Sequence, residues 1–282
     1  MTTPADVAAA GQLACLLEVS APKPGNVSPE RHFHDTRYED FLASAVAIGP
    51  ALSGASHHPL GTTIRTAVEA TRRWTKSNTN LGIVLLLAPL ARAALRSGGT
   101  LRERLGRVLA ETTVADAAQV YAAIRRAGPG GLGETATEDV SEAPTVTLRE
   151  AMALAADRDA VAREYVTDFE LTFEVGVPAV RAARQEGLAW TEAAVEAYLT
   201  LLASTADTHI ARKLGQAESE SVSRRAREVR AAGGTRSDAG RNALAALDAE
   251  LRDSRNRRNP GTTADLTCAA LFVVILEGGW DR

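Results

Sequence analysis

The sequence predicts an all-α protein, a single-domain multi-helix bundle spanning residues 1–282. Three observations carry that prediction. Hydrophobic residues make up 45% of the chain, which marks it as globular rather than disordered. Aromatics are only 4% while alanine is abundant, a mix that suits close helix-on-helix packing and ill suits a sheet. Strand patterns, with apolar and polar residues alternating between turns, are almost absent.

The elements follow in order. Asp6 to Ser20 reads as a helix with Val7, Leu13, Leu16 and Leu17 as its apolar stripe, broken by the prolines and glycine of Ala21-Pro22-Lys23-Pro24-Gly25-Asn26. A polar loop carries His32, His34 and Asp35, and a helix runs from Tyr38 to Leu52. Another opens at Leu60-Gly61 and reaches Trp74; Ser77-Asn78-Thr79-Asn80 then precedes a strongly apolar helix to about Leu95. Helices near Leu101–Glu111 and Ala115–Arg126 lead into the glycine-dense Gly128–Glu134, which with the residues up to Thr147 makes a long irregular loop of the kind often tied to function. Helices resume at about Leu148, Asp159 and Thr191, the last reaching Lys213. Two Arg-rich polar helices occupy about Glu218–Ala232 and Asp238–Arg255. The final helix, Thr262 to Leu276, is apolar on nearly every face and belongs at a centre.

The formal net charge is −3, from 32 basic and 35 acidic residues, which gives no support for nucleic acid as a partner. Cys15 and Cys268 sit in apolar helical patterns and suggest neither a disulfide framework nor a thiolate zinc site. No basic segment followed by an apolar core opens the chain, and the longest apolar run, Leu81–Leu90, is too short for a bilayer. The expected location is the cytoplasm, without a membrane partner; a homodimer is compatible with the sequence.

Five segments carry candidate chemistry. In Lys23-Pro24-Gly25-Asn26-Val27 a tight turn with Gly25 at positive φ turns backbone N–H groups toward an anion beside Lys23; the plain alternative is a helix-ending turn with an exposed lysine. In Asn259-Pro260-Gly261-Thr262-Thr263-Ala264-Asp265-Leu266 a turn enters a buried helix whose first N–H groups suit phosphate. Thr262 and Asp265 have the spacing of a capping box; alternatively, an acid beside a phosphate implies a bridging Mg²⁺. Ser77–Asn80 holds more polar groups than one N-cap needs. In Asp207-Thr208-His209-Ile210-Ala211-Arg212-Lys213 the cations either suit a helix C-terminus or clamp phosphate beside a metal-binding or basic Asp207. Glu164 and Asp168 share a helix face at i, i+4, which hints at a cation or a buried task, with Glu174 nearby; Tyr165, Phe169 and Phe173 read as core. The Arg252, Arg255, Arg257 and Arg258 cluster reads as a solvated helix end.

Taken together and in this order, with His34-Asp35-Thr36 between the first and the Asn78-Thr79 motif, these segments resemble the triphosphoribosyl-dephospho-CoA synthase family over nearly the whole chain, from Lys23 to Leu266. The resemblance implies an all-α enzyme that transfers the 5-triphosphoribosyl group of ATP to a hydroxyl of dephospho-CoA and releases adenine. It implies small-molecule substrates, ATP among them, and Mg²⁺ held by Asp265 and Asp207. The phosphate and nucleotide ligands it implies are Lys23, Gly25, Asn26, Asn78, Thr79, His209, Arg212, Lys213, Gly261, Thr262 and Thr263, with His34, Asp35 and Asp207 as catalytic groups. Two motifs depart from the family's pattern. Asn80-Leu81 stands where a histidine and a basic residue follow Asn-Thr, and Asp207-Thr208-His209 stands where the family has Asp-Thr-Asn. These departures point to another acceptor, such as a methanopterin-type C1-carrier precursor. A metal-dependent phosphohydrolase and a non-catalytic nucleotide-binding protein are the rival readings.

Overall fold

The computed structural model describes residues 2–129 and 137–281. Among them there is no strand, only an isolated antiparallel bridge between Ser28 and Arg31, and the expected all-α architecture is what the chain adopts. No helix of the described residues is long and apolar enough to cross a membrane. The chain divides into two compact units, both discontinuous in sequence: residues 1–15 with 39–170, and residues 16–38 with 171–282.

The first unit holds most of α1 (Pro4–Ser20) and of α2 (Tyr38–Ala47), then α3 (Gly49–Ser53), α4 (Leu60–Thr71), α5 (Leu81–Ala94), α6 (Leu101–Ala110), α7 (Val114–Ala127), α8 (Leu148–Ala155) and α9 (Ala160–Val166). The helix expected over Tyr38–Leu52 is two helices, because Pro50 in the first turn of α3 has no N–H to continue α2. Its centre is α5, nearly every residue of which is buried. Pro89 lies inside α5 and withholds the amide that would bond the Leu85 carbonyl. The chain replaces that donor from another helix: the Tyr165 hydroxyl of α9 donates to Leu85 O at 2.6 Å. Tyr165 is fully buried, and burial raises its pKa far out of reach of any ordinary pH.

Capping boxes start α6, α7 and α8, with Thr100–Glu103, Thr113–Asp116 and Thr147–Glu150 as the reciprocal pairs. Gly128, in the left-handed conformation, caps the C-terminus of α7. The expected loop Gly128–Glu134 lies, from residue 130 onward, outside the described residues; beyond it, Tyr121 of α7 holds the chain by donating to Glu138 O at 2.9 Å. Glu164 and Asp168 do not share a helix face. α9 stops at Val166, and Asp168 and Phe169 both take positive φ, 50° and 61°. Arg102 donates to Asp168 O and Arg149 pairs with its carboxylate, so guanidinium groups hold that bend.

The second unit holds the loop from the end of α1 to Tyr38, a π-helical turn over Leu171–Gly176, and α10 (Val177–Gln185), α11 (Trp190–Ser204), α12 (Thr208–Leu214), α13 (Gln216–Ala231), α14 (Asp238–Leu251) and α15 (Gly261–Leu276). α15 is its buried centre, surrounded by α10, α11, α12 and the π-helical turn. The single helix expected from Thr191 to Lys213 is α11 and α12, separated at Thr205–Asp207. α14 ends at Leu251, short of the expected Arg255.

Candidate active site

Asp207 organises the second unit's polar end. α11 ends at Ser204, Thr205 is extended, and Asp207 caps the N-terminus of α12. Its Oδ1 accepts from the amides of His209 (2.9 Å) and Ile210 (3.1 Å), as an N-cap does. Its Oδ2 accepts from the amide and the hydroxyl of Thr263, both at 2.7 Å, in the first turn of α15. Four donors occupy a carboxylate that offers about four lone-pair positions, and the residue is 1% exposed. Burial pushes its pKa up; the bonds from Thr263, Ile210 and His209 oppose that shift. Asp207 therefore begins a helix rather than ending one. It is the anion that the α15 N-terminus already holds, and with its oxygens committed to two helix starts it drops out of the expected metal ligands and catalytic groups.

The capping box expected of Thr262 and Asp265 is also absent. α15 starts at Gly261 behind Pro260, and no side chain caps it. Thr262 lies within the first turn and its hydroxyl accepts from that of Thr208 at 3.1 Å. Asp265 sits one turn further on, half-buried.

Lys23-Pro24-Gly25-Asn26 makes the expected turn: Asn26 N–H donates to Lys23 O at 3.1 Å, and Gly25 has φ +73°. An added Cβ at Gly25 would lie 2.9 Å from Leu251 Cβ, so both conformation and packing require glycine. The turn does not present its amides to an outside anion. Gly25 N–H donates to Asp248 Oδ1 at 2.8 Å; Arg252 binds the same carboxylate and donates to Asn26 O at 2.8 Å. The Asn26 amide donates to Pro24 O (3.1 Å) and to the Tyr198 hydroxyl (3.0 Å), which donates to Pro24 O at 2.8 Å.

Lys23 is neither the exposed lysine nor the phosphate ligand that the sequence suggests. It is 1% exposed, pairs with Glu18 Oε1 at 2.9 Å, and donates to the carbonyls of Glu18 and of Ala21. An ammonium has three N–H donors, and all three are used. Lys23 thus closes the C-terminus of α1.

The other candidates of the second unit lie on α12 and the loops beside it. His209, Arg212 and Lys213 fall at i, i+3 and i+4 of one helix face. Desolvation, with Lys213 and Arg212 adding to it, pushes His209 down to about 3, so its imidazole is neutral at physiological pH. Desolvation and then Arg212 lower the Lys213 pKa, while the carboxylates of Asp207, Asp253 and Asp35 raise it; the three acids thus share one field with the ammonium.

Asp35 is 60% exposed and stands 3.7 Å from His34 Nε2. His34 Nδ1 lies 3.0 Å from the Asn256 amide, which ties the loop after Lys23 to the loop between α14 and α15. That second loop is built on Asp253, whose carboxylate accepts from the amides of Arg255 and Arg257. The His209 ring abuts Gly261, where a Cβ would overlap Nδ1. Within the second unit, then, His34, Asp35, His209, Arg212, Lys213, Gly261, Thr262 and Asp265 remain candidates.

Asn78 and Thr79 belong to the first unit, where each side chain has a local partner. Asn78 Oδ1 accepts from Leu81 N–H at 3.1 Å, Thr79 shares a 2.6 Å hydrogen bond with Ser44, and Asn80 donates to Thr71 at 3.0 Å. The surplus of polar groups before α5 is thus taken up by Ser44 and Thr71. Glu18, Asp248 and Tyr198 escaped the sequence reading, because their partners lie at unrelated positions along the chain and no local spacing marks them; Arg252, read as part of a solvated helix end, instead binds Asp248 and Asn26 O.

Comparison with known proteins places this arrangement. The family model for ATP:dephospho-CoA triphosphoribosyl transferase matches residues 4–282. The 2-(5''-triphosphoribosyl)-3'-dephosphocoenzyme-A synthase of Klebsiella pneumoniae is 35% identical over 104 residues, 37% of this chain and 36% of that protein. Probable synthases of the same description from Stutzerimonas stutzeri and Pseudomonas fluorescens are 35% and 31% identical, over 37% and 39% of this chain and 36% and 38% of theirs. The match thus spans little more than a third of these relatives. A crystal structure of a candidate triphosphoribosyl-dephospho-CoA synthase from Archaeoglobus fulgidus superposes with a TM-score of 0.65 at 27% identity, covering 84% of this chain and 99% of that one. With the family model matching residues 4–282, the chain belongs to the ATP:dephospho-CoA triphosphoribosyl transferase family.

Proposed function

We propose that residues 1–282 work as one catalytic domain that moves the 5-triphosphoribosyl group of ATP to a hydroxyl of dephospho-CoA and releases adenine. The observation that carries this reading is the family match over residues 4–282. The cations Arg212 and Lys213 on one turn of α12 supply charge for the triphosphate.

In the transfer, the acceptor oxygen bonds to C1′ as the bond from C1′ to adenine breaks, and the nucleobase leaves with the electron pair. Positive charge develops at C1′ and the ring oxygen, as in glycoside transfer. Asp35, exposed and beside His34, takes the acceptor's proton; His34 hydrogen-bonds the departing base, which takes up a proton to leave as adenine.

Mg²⁺ fits this chain as an ion shared with substrate phosphates. No group of three or more His, Cys, Asp or Glu able to hold a metal occurs among the described residues, and Asp207 is saturated. Asp265 is the carboxylate that would hold it, in the usual one-or-two-carboxylate arrangement for magnesium on a nucleotide. When bound, the ion neutralises phosphate charge.

Incubation with ATP, Mg²⁺ and dephospho-CoA tests the proposal. Adenine release with formation of the triphosphoribosylated acceptor is expected. Release of ADP or phosphate in its place would mean a phosphohydrolase and end this reading.

A further inference from the structure

His209 occupies a position that the transfer reaction does not yet account for. It lies one helical turn before Arg212 and Lys213, with Cβ atoms at that spacing about 5–6 Å apart. Its ring is wedged against Gly261, the first residue of α15, and only the missing Cβ leaves room for it. Among the described residues neither ring nitrogen has a hydrogen-bond partner, although the backbone amide of His209 is held by Asp207. The ring is therefore fixed in place by packing, with Nδ1 against Gly261 and Nε2 as the nitrogen left for a ligand.

The two cations on the same face already supply charge for phosphate. A compact, neutral imidazole adds little there, but its remaining nitrogen, as donor or as acceptor, suits an uncharged polar group. A nucleotide whose triphosphate lies along Arg212 and Lys213 carries its ribose and base beyond the 5′ carbon. A side chain one turn away is at the right remove to meet them.

We infer that His209 recognises the uncharged ribose and base portion of the donor nucleotide, not its phosphates, and that Gly261 is glycine to keep the ring in that place. This inference rests on the proposed nucleotide site and narrows it. It makes His209 a specificity residue, one turn from the charge clamp.

Binding separates the two halves without any need for turnover. With Mg²⁺ present, calorimetry measures ATP and inorganic tripolyphosphate, which shares the phosphates and lacks the rest. His209→Gln is expected to weaken ATP roughly tenfold and to leave tripolyphosphate within about twofold of the parent. Gly261→Ala, which displaces the ring without removing it, is expected to show the same selective loss. Arg212→Gln weakens both ligands together. Parallel loss of ATP and tripolyphosphate in His209→Gln would overturn the assignment while leaving the nucleotide site intact. A parent protein that binds neither ligand would overturn the nucleotide reading itself, and this inference with it.

Discussion

Lys23 and His209 are both polar residues in motifs that suggest phosphate, and the fold uses them in opposite ways. Lys23 spends every donor on Glu18 and Ala21 inside the protein. Its replacement by methionine leaves the Glu18 carboxylate, 4% exposed, without its cation, and stranding one partner of a buried pair costs about 3–5 kcal/mol. Urea unfolding of Lys23→Met is expected to show that loss, and replacing Glu18 by leucine as well is expected to recover much of it. A phosphate-binding Lys23 would give the reverse result, normal stability with weakened ATP binding. His209 has a pKa near 3 in the fold against about 6.5 in an unfolded chain. A depressed folded value means that the neutral ring favours the fold above pH 6.5, and that this contribution is lost as pH falls from 6.5 toward 3. Between pH 7 and pH 4.5 the histidine is expected to account for about 2–3 kcal/mol of lost stability. His209→Asn removes that component, so equal acid sensitivity in the two proteins would refute the desolvated, neutral imidazole.

Helix α5 shows how one element repairs a fault with a residue from another. Pro89 leaves the Leu85 carbonyl without its amide, and the Tyr165 hydroxyl fills the gap at 2.6 Å. Tyr165→Phe orphans that buried carbonyl and is expected to cost about 1–3 kcal/mol. In a Pro89→Ala background the amide returns, and the same Tyr165→Phe change is expected to cost clearly less. A double-mutant cycle that finds the two changes additive would disprove the compensation. The elements that could be read from the sequence were those whose reasons are local. The apolar runs of α5 and α15 and the proline breaks after α1 announced themselves. The start of α12 did not: Asp207 follows a leucine-rich helix and precedes two cations, a pattern that suits a C-terminus equally well. What decides the matter is Thr263, 56 residues away, whose amide and hydroxyl take the other carboxylate oxygen. For the same reason the Thr262–Asp265 spacing misled. Pro260 lets the helix begin at Gly261, which places Thr262 inside the first turn rather than before it.

At the scale of the whole chain the all-α class was legible because composition and periodicity agree everywhere, whereas the two compact units were not. Each unit takes two separate stretches of sequence, and α1 contributes residues to both, so no linker marks the division. The candidate site was legible as a set of motifs. Its division of labour was not, since Lys23 and Asp207 turned inward through partners that no spacing reveals. Asp265 is left as the acid to test, and here the structure sharpens the choice. Thr262 is not the N-cap that a capping box with Asp265 needs, and asparagine keeps the shape of aspartate and one acceptor oxygen, so Asp265→Asn is expected to leave the ligand-free melting temperature close to that of the parent. A ligand that binds only the folded state adds about 2.7 kcal/mol at a hundredfold excess over its Kd. For a chain of this size that corresponds to a rise of roughly 5 °C in melting temperature when Mg²⁺ and ATP are both present. If Asp265 holds the ion, the parent shows this rise and the asparagine variant loses most of it, because the carboxylate charge opposite the cation is gone. Thermal melts with ATP alone, Mg²⁺ alone and the two together distinguish an effect on the ion from an effect on the nucleotide. A variant that keeps the full Mg²⁺–ATP rise would remove Asp265 from the metal site.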